Sequence, residues 1–354
     1  MRIAFVGPPQ SGKSTLFRAV TGQPPSSHPV MGEQMASVKV PDPRLDVLAA
    51  MYKPKKYTEA TIDVLDVPGF SHETASQQAE FRKALPSIRQ SDAIVAVVRA
   101  FENPSVPPYR NRVDPKADLD ELLSELLFCD LDTVTTRIER LEKALTKPTK
   151  THEQEKKELE LMRRLQQALE SEQPVTTAIE TDEERKALAS YAFLTELPLV
   201  VVINVNESQA AAPPPFVCEH ARATIALCAE TEEQIAGLEP ADRQAFLDDL
   251  GVKVPARDRL IQVCYDAVGL ISFLTCGEDE VRAWSVRKGS TAVEAAGKIH
   301  TDLARGFIRA ETVAFEDLKA AGDMKAAKAA GKVRLEGKNY IVQDGDILNI
   351  KFNV

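Results

Sequence analysis

The residues with the clearest chemical potential lie directly after a short apolar run, Ile3–Val6, near the amino terminus. They form the pattern G-x-x-x-x-G-K-S, which consists of Gly7, Pro8, Pro9, Gln10, Ser11, Gly12, Lys13 and Ser14, followed by Thr15. The glycines let main-chain N–H groups close around phosphate oxygens, the lysine adds positive charge at the β- and γ-phosphates, and the serine hydroxyl can bind Mg²⁺. A helix predicted from about Thr15 directs its positive end at the same anion. We therefore predict an exposed loop that binds a nucleoside triphosphate; a glycine turn without a ligand is the alternative.

A second polar group follows the next predicted strand, residues 61–65. Asp66-Val67-Pro68-Gly69 has the form D-x-x-G, in which the aspartate of GTPase-type folds faces Mg²⁺ and the glycine N–H senses the γ-phosphate. We assign Lys13, Asp66 and Gly69 to the reaction centre, and Ser14 and Asp66 to the metal. A plain turn is the alternative for so short a pattern. Phe70 stands where many GTPases place a glutamine, so the sequence shows no general base.

Base recognition is predicted at the ends of two later strands. Guanine-specific proteins carry N-K-x-D after such a strand, with the lysine covering the base and the carboxylate accepting hydrogen bonds from guanine. Here residues 199–203 precede Asn204, Val205 and Glu207, so valine replaces the lysine and the carboxylate is one methylene longer. The next strand, 224–227, ends in Cys228, Ala229 and Glu230, where an alanine N–H contacts the base in the same folds. The valine at position 205 and the longer carboxylate at position 207 both weaken the prediction of guanine specificity.

Composition limits the classes of protein to which the chain can belong. It has 354 residues, of which 44% are apolar and 27% charged, as in ordinary globular proteins of two or three domains. The longest apolar runs, 93–98 and 197–203, are too short to cross a bilayer, and the amino terminus lacks the layout of a signal peptide. We expect a cytoplasmic protein with reduced cysteines and no membrane partner.

The net charge of −9 argues against indiscriminate binding to nucleic acid, and we expect no DNA partner. Basic and acidic residues nearly balance after residue 277. An RNA contact would therefore use a local patch near the carboxyl terminus.

The pattern along the chain predicts three kinds of structure. Apolar strands at 2–6, 61–65, 93–98 and 199–203 alternate with helices, which predicts a doubly wound α/β domain. A heptad-like seam predicts one arm of an inserted helical hairpin, which breaks at 147–150 before a second stripe at 159–169. The seam comprises Leu119, Leu123, Leu127, Leu131, Val134, Ile138, Leu141 and Leu145. Strands and a helix after Gly277, closing with Asp344–Asp346 and an alternating strand, predict a small α+β module of ubiquitin-like size.

With these residues in place, the chain resembles the YchF family, the Obg-like ATPases, from end to end. The segments that carry the resemblance, besides the phosphate loop, are Pro41–Leu45, Arg99–Asn103, Val113–Pro115, Asn204–Glu207, Glu280–Trp284, Gly297–Asp302, Phe307–Glu311, Gly337–Tyr340 and Asp344–Asp346. The resemblance implies a P-loop domain of the TRAFAC (translation-factor) class at 1–115 and 196–276. It further implies an inserted coiled-coil domain at 116–195 and a TGS (β-grasp) domain at 277–354.

The resemblance also implies an NTPase that prefers ATP to GTP, because N-x-x-E replaces N-K-x-D, and that requires Mg²⁺. It implies association with the ribosome, which we expect through the TGS and coiled-coil domains, with the subunit left open.

The chain departs from the family pattern at four places. Gln10 replaces a cation-associated asparagine, Val30 a switch threonine and Pro108 a histidine, and residues 70–89 contain no glycine. We therefore predict slow, K⁺-insensitive hydrolysis. A non-catalytic nucleotide-binding adaptor and a GTP-preferring enzyme are the alternatives.

Overall fold

The computed structural model describes residues 1–24, 32–71, 73–146, 151–210, 212–249 and 254–353. These residues form two compact units. The first consists of Met1–Ala36 and Val64–Val252, and the second of Ser37–Asp63 and Lys253–Val354. Each unit therefore contains segments that are far apart along the chain.

The strands are β1 (Arg2–Val6), β2 (Gln34–Lys39), β3 (Lys56–Thr58), β4 (Thr61–Asp66), β5 (Ala93–Arg99), β6 (Leu199–Asn204), β7 (Ala223–Leu227), β8 (Leu270–Cys276), β9 (Glu280–Arg287), β10 (Phe307–Ala314), β11 (Arg334–Glu336) and β12 (Asp346–Phe352). The helices are α1 (Lys13–Thr21), α2 (Pro43–Tyr52), α3 (Ala75–Arg89), α4 (Pro115–Ala144), α5 (His152–Glu170), α6 (Asp182–Leu188), α7 (Glu207–Ala210), α8 (Ala229–Gly237), α9 (Pro240–Asp249), α10 (Ala256–Ala267), α11 (Ala292–Ile299), α12 (Thr301–Arg305), α13 (Phe315–Ala321) and α14 (Met324–Ala329). Short 3₁₀ turns lie at Tyr109–Asn111, Val175–Thr177, Ala189–Tyr191 and Leu194–Glu196.

The first sheet has the strand order β2-β4-β1-β5-β6-β7. β1 pairs with β5, β5 with β6, and β6 with β7, each in parallel. Every residue of β5 and β6 is buried, as in strands that are covered on both faces. The direction of strand succession reverses between β1 and β5, and ligands of doubly wound sheets bind at the carboxyl ends of such strands. The predicted doubly wound α/β fold is confirmed.

Helix α4 contributes to two hydrophobic cores. Its first half contributes Leu119, Leu122 and Leu126 to the core of the first sheet. Its second half packs with α5 through Val134, Ile138 and Leu141, which meet Leu159, Met162, Leu165 and Leu169. Leu127, Leu131 and Leu145 are partly buried and pack against the same core, so the predicted seam from Leu127 to Leu145 lies between the two helices. Leu119 and Leu123, at the start of the predicted seam, pack instead on the core of the first sheet.

The second sheet has the strand order β11-β10-β12-β8-β9-β3. The predicted succession after Gly277 is present as β9, α11, β10 and β12, and the alanines of α11 pack against the sheet. Two strands lie outside the range predicted for this module. β8 pairs antiparallel with β9 from residue 270 onward, and β3 pairs parallel with β9 from Lys56 to Thr58. β8 and β9 are close together in sequence and are separated only by residues 277–279. The pairing of β3 with β9 joins residues more than 200 positions apart, which local patterns do not reveal.

Within the described ranges, no helix is long and apolar enough to cross a membrane. Val30, which replaces the switch threonine of the family pattern, lies outside the described residues, as does the predicted break at 147–150.

Candidate functional site

The phosphate loop connects β1 to α1 at the carboxyl edge of the first sheet. Its two pattern glycines stand where a side chain has no room. A Cβ on Gly7 would lie 2.3 Å from the main-chain oxygen of Val97, and one on Gly12 would lie 2.0 Å from Nδ2 of Asn204. Gly12 also has a φ of +87°, a left-handed conformation that glycine adopts at little cost. Close packing beneath the loop therefore explains why glycine occupies both positions.

The loop is less exposed than the sequence suggests, because Ser11 and Lys13 are buried. Lys13 is the first residue of α1, and its Nζ donates a hydrogen bond to Oδ1 of Asp66 at 2.9 Å. Ser14 Oγ donates to the other oxygen, Oδ2, at 2.7 Å. Asp66 ends β4 and is only 4% exposed. Lys13 and Ser14 thus meet at the carboxylate of Asp66, and the positive charge of Lys13 balances the negative charge of that carboxylate.

The D-x-x-G segment lies directly against the phosphate loop. A Cβ on Gly69 would lie 2.9 Å from the nitrogen of Pro9, and the N–H of Phe70 donates to the main-chain oxygen of Gly7 at 2.9 Å. The Phe70 ring is buried and packs edge-on against Phe81 with 5.3 Å between centroids. The side chain that follows Gly69 therefore belongs to the hydrophobic core, in agreement with the absence of a general base from this position of the sequence.

Asn204 connects the phosphate loop to the second predicted base-binding segment. This buried side chain donates from Nδ2 to the main-chain oxygen of Ser11 at 2.9 Å and accepts at Oδ1 from the N–H of Ala229 at 3.0 Å. Both hydrogen bonds use a side-chain amide, which carries a donor and an acceptor on one rigid group. The structure therefore brings the ends of β1, β6 and β7 together at one residue.

The remaining base-binding candidates differ in exposure. Glu207, at the start of α7, and Glu230, in the first turn of α8, are exposed, and Cys228 is half-buried before α8. Val205 is only 1% exposed and belongs to the hydrophobic core of the first sheet. Its side chain therefore does not cover a base as the lysine of N-K-x-D does, which agrees with the weakened prediction of guanine specificity, and the assignment of Val205 to the nucleotide site stays a prediction. Core packing explains why a valine stands at position 205.

Arg99 is a site residue that the sequence analysis did not single out beyond the family resemblance. It ends the otherwise apolar strand β5 and is buried beside the phosphate loop. The signal in the sequence is an arginine at the end of an otherwise apolar run. It indicates an unusual position, because arginine is rarely fully buried.

The oxygen atoms at Asp66 and Ser14 suit Mg²⁺. A carboxylate and a hydroxyl are hard oxygen ligands, and Mg²⁺ is usually held by one or two protein groups together with substrate phosphates and waters. Among the described residues, no group of three or more histidine, cysteine or acidic side chains could hold a metal ion. A site completed by phosphates does not need such a group.

Two family models match the chain. One, described as "50S ribosome-binding GTPase", matches residues 2–130. The other represents the carboxyl-terminal part of YchF GTPases, is described as "Protein of unknown function (DUF933)", and matches residues 270–353.

Similar proteins extend over the whole chain. The chain is 40% identical to the "Ribosome-binding ATPase YchF" of Bacillus subtilis, over 99% of this chain and 98% of that protein. It is 35% identical to "Obg-like ATPase 1" of Oryza sativa, over 100% of this chain and 92% of that protein. A solved structure titled "Structure of the Schizosaccharomyces pombe YchF GTPase" superposes with a TM-score of 0.86 at 31% identity, over 99% of this chain and 97% of that chain. On these matches and on the geometry of its phosphate loop, the chain belongs to the YchF family of Obg-like ATPases.

Proposed function

We propose that this protein binds ATP with Mg²⁺ at the phosphate loop and hydrolyses it slowly as a switch that associates with the ribosome. The observation that carries the proposal is the convergence of Lys13 and Ser14 on the buried carboxylate of Asp66, at 2.9 and 2.7 Å. An ammonium, a hydroxyl and a carboxylate at the start of a helix form a site for a triphosphate and a divalent cation.

In this function each residue has a separate task. Main-chain N–H groups of Gly12 and its neighbours bind phosphate oxygens, and Lys13 stabilises the charge that develops on the transferred phosphoryl group. Ser14 and Asp66 would hold Mg²⁺, which supplies further charge stabilisation at the phosphates. The main-chain N–H of Gly69 would sense the γ-phosphate, as in other D-x-x-G segments, and the position of Gly69 against Pro9 of the loop supports this role. The attacking water has to be positioned by another group, because the side chain of Phe70 is buried.

Preference for ATP is supported by Glu207, which replaces the shorter carboxylate that accepts hydrogen bonds from guanine. The Bacillus relative is named an ATPase and the Schizosaccharomyces structure a GTPase, so the names do not decide the base.

Association with the ribosome is supported by the names of the relatives. We propose the predicted coiled-coil segment, 116–195, and TGS segment, 277–354, as the contacting parts, and a cytoplasmic location follows from this partner. The division of the remaining chain, 1–115 with 196–276, into one nucleotide-binding domain is part of the same proposal.

A non-catalytic adaptor is the second candidate function. It is favoured by Gln10 in place of the family asparagine and by the buried side chain of Phe70, which leave the site without two groups that could assist hydrolysis. Such an adaptor would bind ATP and change conformation without turnover.

Phosphate release under multiple-turnover conditions separates the two functions. The assay compares the protein alone and with purified ribosomes, in KCl and in NaCl, with Lys13→Ala as the control for contaminating activity. We expect slow release that is equal in the two salts and increases when ribosomes are added. Absence of release under every condition would favour the adaptor, and rapid K⁺-stimulated release would contradict the prediction of slow, K⁺-insensitive hydrolysis.

A further inference from the structure

Arg99 is a buried cation whose guanidinium binds main-chain oxygens. It is 2% exposed at the end of β5. Nε donates to the oxygen of Phe101 at 2.9 Å, and Nη2 donates to the oxygen of Val106 at 2.9 Å. Nη1 lies 3.5 Å from the oxygen of Gln10 in the phosphate loop. One guanidinium therefore contacts the phosphate loop and the segment that follows β5.

The charge of Arg99 has incomplete compensation in the protein. Within the described part of the chain, no carboxylate lies at ion-pair distance from its guanidinium; the contacts are carbonyl dipoles and the face of the Phe101 ring, 4.4 Å away. Burial lowers the pKa of Arg99, and Glu102 opposes the shift only in part. Buried charges are usually paired, because removing a charge from water is costly. An anion bound at the phosphate loop would supply the missing negative charge.

The contact with Gln10 also determines the direction of a main-chain donor. A trans peptide is planar, so its C=O and N–H point in opposite directions. The Gln10 oxygen faces Arg99, and the N–H of Ser11 therefore points away from Arg99. Gln10 has a φ of 61°, a conformation that few residues other than glycine adopt and that needs support from its surroundings. Arg99 supplies part of that support from beneath the loop.

We propose that Arg99 is a positioning residue for the nucleotide phosphates: it fixes the Gln10–Ser11 peptide, and the phosphates balance its buried charge. Because the same guanidinium holds the oxygens of Phe101 and Val106, nucleotide binding also stabilises residues 101–106. This inference rests on the proposed function, since it requires that the phosphate loop binds a nucleotide.

The proposal is tested by titrating ATP and ADP, with Mg²⁺, into wild-type protein and into Arg99→Met and Arg99→Lys variants. Methionine keeps much of the volume without the charge, and lysine keeps the charge without the planar fork. Loss of a charge-assisted interaction corresponds to about a 10- to 100-fold loss in affinity. We expect Arg99→Met to lose ATP affinity in this range and ADP affinity by a smaller factor. Arg99→Lys should lose less affinity for both nucleotides, and its loss should again be larger for ATP than for ADP.

Arg89→Met is the matched control, because Arg89 is half-buried and, like Arg99, binds main-chain oxygens, here those of Cys129 and Ala192. Its guanidinium pairs with the carboxylate of Asp130 and does not contact the phosphate loop. It should lower stability without changing the ratio of ATP to ADP affinity. If Arg99→Met lowers both affinities equally, or neither, the proposal is overturned. If Arg99→Met does not fold, an unchanged ratio in Arg99→Lys overturns it equally well. If the wild type binds neither nucleotide, the proposed function fails instead.

Hydrogen exchange measures the second part of the proposal. In the wild type, saturating ATP should slow exchange of the main-chain amides of residues 101–106, and Arg99→Met should abolish this protection while Arg89→Met retains it. Unchanged exchange in the wild type at saturating ATP would overturn the link between the loop and this segment.

Discussion

Nζ of Lys13 lies 2.9 Å from Oδ1 of Asp66, and the two side chains are 8% and 5% exposed. The lysine that a triphosphate requires is therefore already half of a buried ion pair. Nucleotide phosphates would add negative charge beside Lys13, and a divalent cation would add positive charge beside Asp66. The pair is thus neutral without the ligand, and each of its two charges would face an opposite charge when the ligand is bound.

Lys13→Ala is expected to abolish triphosphate binding and to destabilise the free protein. Removing one partner of a buried ion pair typically costs about 3 to 5 kcal/mol, because the other charge is left uncompensated. Calorimetric titration measures the binding, and chemical denaturation measures the stability. The double variant Lys13→Ala, Asp66→Asn should recover most of the stability but no binding. ATP affinity equal to that of the wild type in Lys13→Ala would contradict the assignment of the loop.

Gly69→Ala is expected to lower turnover by about 10- to 100-fold, since displacements near 1 Å at a reaction centre have effects of this size. The new Cβ would stand 2.9 Å from the nitrogen of Pro9, so either the phosphate loop or the D-x-x-G turn has to move. Gly237→Ala is the matched control, because nothing lies within 4 Å of the Cβ position at Gly237. Phosphate release by both variants gives the comparison, and equal rates would show that the contact between Gly69 and Pro9 does not matter.

Asp118, in the first turn of α4, is expected to make stability depend on pH. Burial raises its pKa from 3.8 to about 6, and Arg112, with Nη1 at 3.2 Å, opposes the shift only in part. A raised carboxyl pKa means that the ionised form destabilises the folded state, so the cost is present above about pH 6 and disappears as pH falls toward 4. Asp118→Asn should therefore raise the free energy of unfolding at pH 8 by about 2 to 3 kcal/mol, and by much less at pH 4.

Asp120 provides the control for this pH dependence. It lies on the same helix, its side chain is 52% exposed and it pairs with Lys116. Asp120→Asn should change stability by less than about 0.5 kcal/mol at either pH. Equal effects of the two substitutions across the pH range would show that the Asp118 carboxyl does not cause the pH dependence of stability.

Glu207→Asp is expected to shift nucleotide preference toward GTP, because the shorter carboxylate matches the length that guanine-specific sites use. One good charge-assisted hydrogen bond corresponds to about a 10- to 100-fold change in affinity. Introducing lysine at position 205 does not improve this test, since Val205 is buried and a lysine there would disrupt the core. Glu219→Asp, at an exposed position away from the site, is the control. An unchanged ratio of ATP to GTP affinity in Glu207→Asp would place base selection elsewhere.

Local chemistry explains which features the sequence predicts. The spacing of Gly7, Gly12 and Lys13 is imposed by a loop that closes on phosphates, so the pattern identifies the loop without knowledge of its neighbours. Strands β5 and β6 are recognisable because complete burial requires unbroken apolar runs. These features depend on residues that are close together in the chain.

Features that depend on distant residues were not predictable in this way. Val205 follows a strand end where exposure is expected, yet it packs in the core. β3 lies more than 200 residues from its partner β9, and its three residues give no signal of that pairing. Arg99 is recognisable as unusual, but its contact with Gln10 follows only from the pairing of β1 with β5.

The most direct test of the central proposal is a competition titration in which a fluorescent ATP analogue bound to the wild-type protein is displaced by ATP or by GTP. It is run with Mg²⁺ and again with a chelator, and Lys13→Ala serves as the blank. We predict displacement by ATP at lower concentration than by GTP, weaker binding in the chelator, and no specific binding by Lys13→Ala. Displacement by GTP at lower concentration than by ATP would contradict the proposed preference, and equal binding by Lys13→Ala would contradict the site itself.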